Sequence, residues 1–165
     1  MNIQLGQYAG FCFGVDRAVN MVEEAAKAGG TVVTLGPIIH NHHVVDRFQR
    51  MGVEVANSPE EVRPGSTVVL RAHGVPRQVE ETLAGLPVQV VDATCPFVKR
   101  IHRLVQEAEA EGRTPVIIGT RTHPEVVGIA SWCRRGMVFE GPEELERWAA
   151  LPETDGTGSV RQRQH

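Results

Sequence analysis

Cys12 and Cys95 are the residues whose type and placement promise the most chemistry. Each sits between a strand-like run and a helix-like run. A helix amino end favours the thiolate, which is the metal-binding form. A lone buried cysteine is usually inert packing, but two in matching positions point to metal or cluster ligation. Their spacing is not CxxC, which argues against a zinc ribbon. His40, His73 and His123 each follow a strand. Such histidines are either surface residues or a shared polar pocket that holds phosphate oxygens or shuttles protons near neutral pH. Glu125, in His123-Pro124-Glu125, complements a helix dipole or acts as a general acid. Cys133 is expected inside a helix as an incidental thiol. His42 and His43 are expected to be solvated on a first helical turn. His102, in a helix interior, and His165, near the end, are given no role, nor is Asp92.

The elements that must position these residues alternate between strands and helices. Strands are expected at Ile3 to Gln7, Thr31 to Leu35, Val53 to Ala56, Ser66 to Arg71 and Val88 to Val91, then at Val116 to Ile118 and Met137 to Phe139. Helices are expected at Gly14 to Ala28, Asn41 to Met51, Pro76 to Ala84 and Pro96 to Glu111, then at Pro124 to Trp132 and Pro142 to Ala150. Ser58-Pro59-Glu60-Glu61 reads as a capping box with proline at the first helical position. Short continuous apolar strands between helices imply α/β units around parallel sheets. In such sheets ligands bind at the carboxyl ends of strands, and helix amino ends favour anions.

The same elements occur twice. A shift of 83 residues lays Cys12 on Cys95, Arg17 on Arg100, Gly36 on Gly119 and His40 on His123. It also lays Pro59-Glu60-Glu61 on Pro142-Glu143-Glu144. Any two βα units share valines and alanines; a cysteine, a glycine and a histidine in one register indicate duplication. The first copy continues past Glu61 with two more strands. The second meets PETDGTGSVRQRQH, read as a flexible tail over residues 152–165 that leaves the second copy incomplete. The units are therefore read as 1–12 (strand and first cysteine), 13–94 (first α/β domain) and 95–151 (second, truncated).

Composition bounds the function. Of 165 residues, 41% are hydrophobic and 22% charged, which excludes wholesale disorder and suits a globular chain. A net charge of −3 disfavours a nucleic-acid binder. No apolar run approaches the ~18 residues of a membrane span. Met1 to Gly10 shows no signal-peptide pattern. Three cysteines fit a reducing cytoplasm better than a disulfide framework.

Five segments together resemble the 4-hydroxy-3-methylbut-2-enyl diphosphate reductase family. They are GFCFGVDRAV (Gly10 to Val19), LGPIIHN (Leu35 to Asn41), RAHGV (Arg71 to Val75), VVDATCPFVKRIH (Val90 to His102) and HPEVVG (His123 to Gly128). The resemblance covers about residues 1–150. It implies the first two of three small parallel-sheet α/β domains, arranged like a trefoil around a [4Fe-4S] cluster, each supplying one cysteine. Cys12 and Cys95 match two cluster ligands, which leaves the third cysteine unmatched, Cys133 included. His40 and His73 match residues that hold the diphosphate. His123 and Glu125 match the pair near the substrate's hydroxymethyl group, with Glu125 as proton donor. The first strand is expected to pack with the third domain.

The implied activity is that of an iron-sulfur reductase of the methylerythritol phosphate pathway of isoprenoid biosynthesis. It forms isopentenyl and dimethylallyl diphosphates with electrons from ferredoxin or flavodoxin. A chain carrying two of the three cysteines is expected to bind the cluster weakly or not at all and to have little activity alone. The alternative from another class is a non-catalytic remnant that binds a phosphate-bearing ligand or a partner chain. A zinc hydrolase built on Cys12, Cys95 and a histidine is weaker, since HExxH-type spacing is absent.

Overall fold

A computed structural model describes residues 2–4, 6–7 and 9–150. Helix α1 (Phe13–Ala28) leads into β1 (Val32–Leu35), α2 (His42–Arg50), β2 (Glu54–Ala56) and a 3-10 turn (Pro59–Glu61). Then follow β3 (Thr67–Leu70), α3 (Arg77–Ala84), β4 (Gln89–Asp92), α4 (Pro96–Ala110) and β5 (Val116–Ile118). Helix α5 (Pro124–Ala130), β6 (Met137–Phe139) and α6 (Pro142–Ala150) complete the order.

Four parallel strands form the first sheet, in the order β2-β1-β3-β4. Strand β1 is Val-Val-Thr-Leu and is buried at every position, as a strand covered on both faces must be. Side chains alternate across it. Val32 joins one core with Ala18, Val22, Ile38, Val44 and Phe48 from the α1 and α2 side. Val33 and Leu35 join a second core with Val68, Leu70, Val75 and Leu83 on the α3 side. The order reverses between β1 and β3, since β1 leads to β2 on one side and β3 to β4 on the other. Their carboxyl ends therefore open at a topological switch point. Asn41 fixes the start of α2, its side chain accepting from the Val44 N–H at 3.4 Å.

The second unit repeats the first. Adding 83 to β2 gives residues 137–139, which are β6. Adding 83 to α1 gives 96–111, and α4 spans Pro96–Ala110. Strands β5 and β6 pair in parallel, as β1 and β2 do. Among the described residues nothing pairs with the other edge of β5, where β3 lies in the first unit. Ile118 on that strand is 65% exposed.

Several local expectations are corrected. Ile3, Gln4, Gly6 and Gln7 belong to no strand. A strand needs a partner for its backbone groups, and neither sheet offers one there. Ser58 makes no side-chain cap; the Glu61 carboxylate instead accepts from the Asn57 N–H at 2.9 Å, and the segment closes as a 3-10 turn. Helix α5 ends at Ala130, not Trp132, so Cys133 lies beyond it. Residues 152–165 lie outside the described residues.

Candidate functional site

The three strand-end histidines converge. His40 ends the turn after β1, His73 lies in the turn after β3, and His123 is the N-cap of α5. Ring centroids of His40 and His73 are 4.5 Å apart, and each is 6.1 Å from that of His123. The first two meet because β1 and β3 are neighbours with aligned carboxyl ends. His123 arrives from the second unit in the register of His40. His42 and His43 stack on each other at 3.9 Å on the exposed first turn of α2 and take no part.

Electrostatics single out His73. Burial, then the nearby His40, Arg71 and His123, push its pKa from 6.5 down to about 4. Its Nδ1 is buried and has no hydrogen-bond partner among the described residues. The unfolded chain binds this proton near pH 6.5 and the folded chain only near pH 4. Stability is therefore fully present above about pH 6.5 and falls as the pH drops through about 4. Solvent reaches part of this residue, so the loss is about 1–2 kcal/mol after screening. Urea unfolding at pH 7 and pH 4.5 measures it, and a His73→Asn variant should lose less over the same interval.

His123 Nδ1 accepts from the Glu125 N–H at 3.2 Å. That bond leaves the proton of the neutral imidazole on Nε2. Glu125, half-buried, and His123 share one rim of an open cleft of about 500 Å³. Its other walls are apolar, with Ile101, Val105, Val116, Ile118 and Ile129 among them.

Cys12 and Cys95 are the N-caps of α1 and α4, as expected from their turns. Both are free thiols, Cys12 exposed and Cys95 half-buried. Cys95 Sγ lies against Gly14 on the first turn of α1, so close that a methyl group there would stand 3.0 Å from Cys95 Cβ. Arg17, one turn further on, donates to the carbonyls of Asp92 and Thr94, both at 3.3 Å. The two cysteine turns are thereby tied to each other. Asp92 holds its own turn by accepting from the Thr94 N–H at 2.9 Å and pairing with Lys99. Burial raises the Asp92 carboxyl, but the bonds from Lys99 and Thr94 outweigh it and the net shift is downward. Among the described residues, no group of three or more histidine, cysteine or carboxylate side chains forms a metal site. Cys133 sits apart, donating to the Ala130 carbonyl at 3.7 Å, its thiol pushed up by burial.

The sequence reading missed His102. It is 5% exposed and stacks on Trp132, with ring centroids 5.3 Å apart. It packs against Gly74 beside His73 and against Gly128 in α5. Its repeat partner Val19 is also 5% exposed, as the shared register implies. Arg17 escaped for a different reason: it acts through the carbonyls of Asp92 and Thr94, far along the chain, which no local spacing encodes.

Comparison with known proteins gives the family. The family pattern described as LytB protein matches residues 3–162. A 4-hydroxy-3-methylbut-2-enyl diphosphate reductase of Aquifex aeolicus is 43% identical over 150 residues, which are 88% of this chain and 52% of the relative. One of Geobacter sulfurreducens is 43% identical over 166 residues, covering 98% and 56%. A solved structure of (E)-4-hydroxy-3-methyl-but-2-enyl diphosphate reductase, described as the terminal enzyme of the non-mevalonate pathway, matches with a TM-score of 0.77 at 43% identity. That match covers 88% of this chain and 53% of the other. The Plasmodium falciparum reductase structure matches with a TM-score of 0.82 at 28% identity, covering 86% and 45%. The chain spans about half the length of the curated relatives it matches. With the family pattern running through nearly all of its length, the chain belongs to the LytB protein family.

Proposed function

We propose that this chain carries the diphosphate-binding histidines and two of the cluster cysteines of a 4-hydroxy-3-methylbut-2-enyl diphosphate reductase. The observation that carries the reading is the convergence of His40, His73 and His123 from two units onto one strand-end pocket. His40 and His73 hold the diphosphate of the substrate. His123 presents Nε2–H toward its hydroxymethyl end, and Glu125 donates the proton that lets the hydroxyl depart as water. The net change breaks one C–O bond, consumes two electrons and two protons, and yields isopentenyl and dimethylallyl diphosphates.

The residues fit part of a [4Fe-4S] cluster. Two free thiols stand at helix amino ends whose turns are bound to each other through Arg17, and a third ligand is not among the described residues. When bound, the cluster supplies the electrons, drawn from ferredoxin or flavodoxin in the cytoplasm, with Cys12 and Cys95 holding two of its irons. No helix of the described residues is long and apolar enough to cross a membrane.

A second reading, a non-catalytic remnant that binds a phosphate-bearing ligand or a partner chain, is favoured by that incomplete ligand set. Anaerobic incubation of the chain with iron and sulfide separates the two. The reductase reading expects less than one cluster per chain and expects the uptake to disappear in Cys12→Ser and Cys95→Ser. Uptake indifferent to both substitutions overturns it. A colourless chain leaves the remnant reading in front.

A further inference from the structure

Among the described residues, Arg71 differs from the six arginines that pair with glutamates. Arg47, Arg63, Arg77, Arg113, Arg121 and Arg135 are exposed and paired with glutamates. Arg71 is half-buried, and no carboxylate pairs with it among the described residues. Its Nε donates to the Gly74 carbonyl at 3.0 Å. The rest of the guanidinium lies over Gly36, where a methyl group would meet Nη1 at 2.9 Å and Cζ at 3.8 Å. Gly36 takes φ +73 and begins the turn that ends at His40, while Gly74 follows His73 directly. One side chain therefore bridges the two turns that carry the first two histidines of the pocket.

A half-buried cation without a counter-charge is costly unless an anion completes the site. Burial already lowers the pKa of Arg71, and its charge is among those that keep His73 neutral. Neutral imidazoles offer an anion hydrogen bonds but no charge; a guanidinium supplies the charge and keeps it throughout.

We propose that Arg71 is an anion-binding residue of the histidine pocket, supplying its permanent positive charge while holding the His40 and His73 turns together. This rests on the reading of the pocket as a diphosphate site. Arg71 gives that site a charge that does not depend on imidazole protonation. The titratable groups around His73 are His40, His123 and Arg71, and Glu125 borders His123.

Calorimetric titration of the chain with inorganic diphosphate at pH 6 and pH 8, at fixed ionic strength, tests the proposal. The wild-type chain should bind at both. Arg71→Gln should weaken binding about 10- to 100-fold at pH 8, the range expected for losing a charge-assisted contact. Arg71→Lys, which restores the charge, should recover most of that loss. Arg71→Gln binding like wild type at pH 8 overturns the role. So does Arg71→Lys binding as poorly as Arg71→Gln while circular dichroism shows both folded, because the side chain would then serve only as a clamp. If the wild-type chain binds diphosphate at neither pH, the diphosphate reading of the pocket falls, and the inference with it.

Discussion

Replacing Gly74 with alanine should lower stability by about 2–4 kcal/mol and disorder the histidine pocket. Two costs coincide at this residue. Its φ is +77, a conformation in which a side chain is strained. A methyl group would also stand 3.0 Å from His102 Cε1 and 3.2 Å from Thr94 Cγ2, both in buried rings or turns with little room to give. Gly52 is the control. Its φ is +85 and nothing lies within 4 Å of the added methyl, so Gly52→Ala carries only the conformational part, about 1 kcal/mol. Urea denaturation of the two variants measures the difference, which is the packing of the His73 turn onto His102. Equal losses would show that the Gly74 turn does not rest on the joint between the units.

Gly14→Ala should likewise destabilise, by about 1–3 kcal/mol, although alanine is the better helix former. Gly14 is the second residue of α1 and is buried, and its backbone conformation needs no glycine. At an ordinary helix position the substitution gains about 1 kcal/mol. Here the methyl group runs into Cys95 Sγ and stands 3.0 Å from Cys95 Cβ. The cysteine turn must move, and Arg17, which donates to the carbonyls on that turn, resists the movement. Thermal unfolding gives the sign, and the alkylation rate of Cys95 reports the displaced thiol. A stabilised variant with an unchanged alkylation rate would refute the close approach of the two turns.

Much of the fold could be read from residue order. Short tetrads of β-branched and aliphatic residues such as Val32 to Leu35 call for cover on both faces, and the 83-residue shift lays β2 and α1 on β6 and α4. The histidines were legible for the same reason. A residue just past a buried strand has to lie at the carboxyl edge of its sheet, so His40 and His73 share one edge once β1 and β3 are parallel, and the repeat register carries His123 to the matching edge of the second sheet. What escaped depended on partners far along the chain. Ile3 to Gln7 has strand-like residues, but β pairing is decided by a neighbour and none is present among the described residues. Ser58 and Glu61 carry the capping-box pattern, yet Glu61 reaches the Asn57 N–H instead. His102, read in a helix interior and given no role, is buried like Val19, its partner in the repeat.

The central claim is that the histidines from two units form one diphosphate pocket. The most direct test follows histidine Cε1–H signals by NMR, across pH, with and without inorganic diphosphate. The account predicts that diphosphate shifts His40, His73 and His123 together, leaves His42 and His43 in place, and raises the His73 midpoint from about 4. Shifts confined to His42 and His43, or a His73 midpoint that ignores saturating diphosphate, would contradict it.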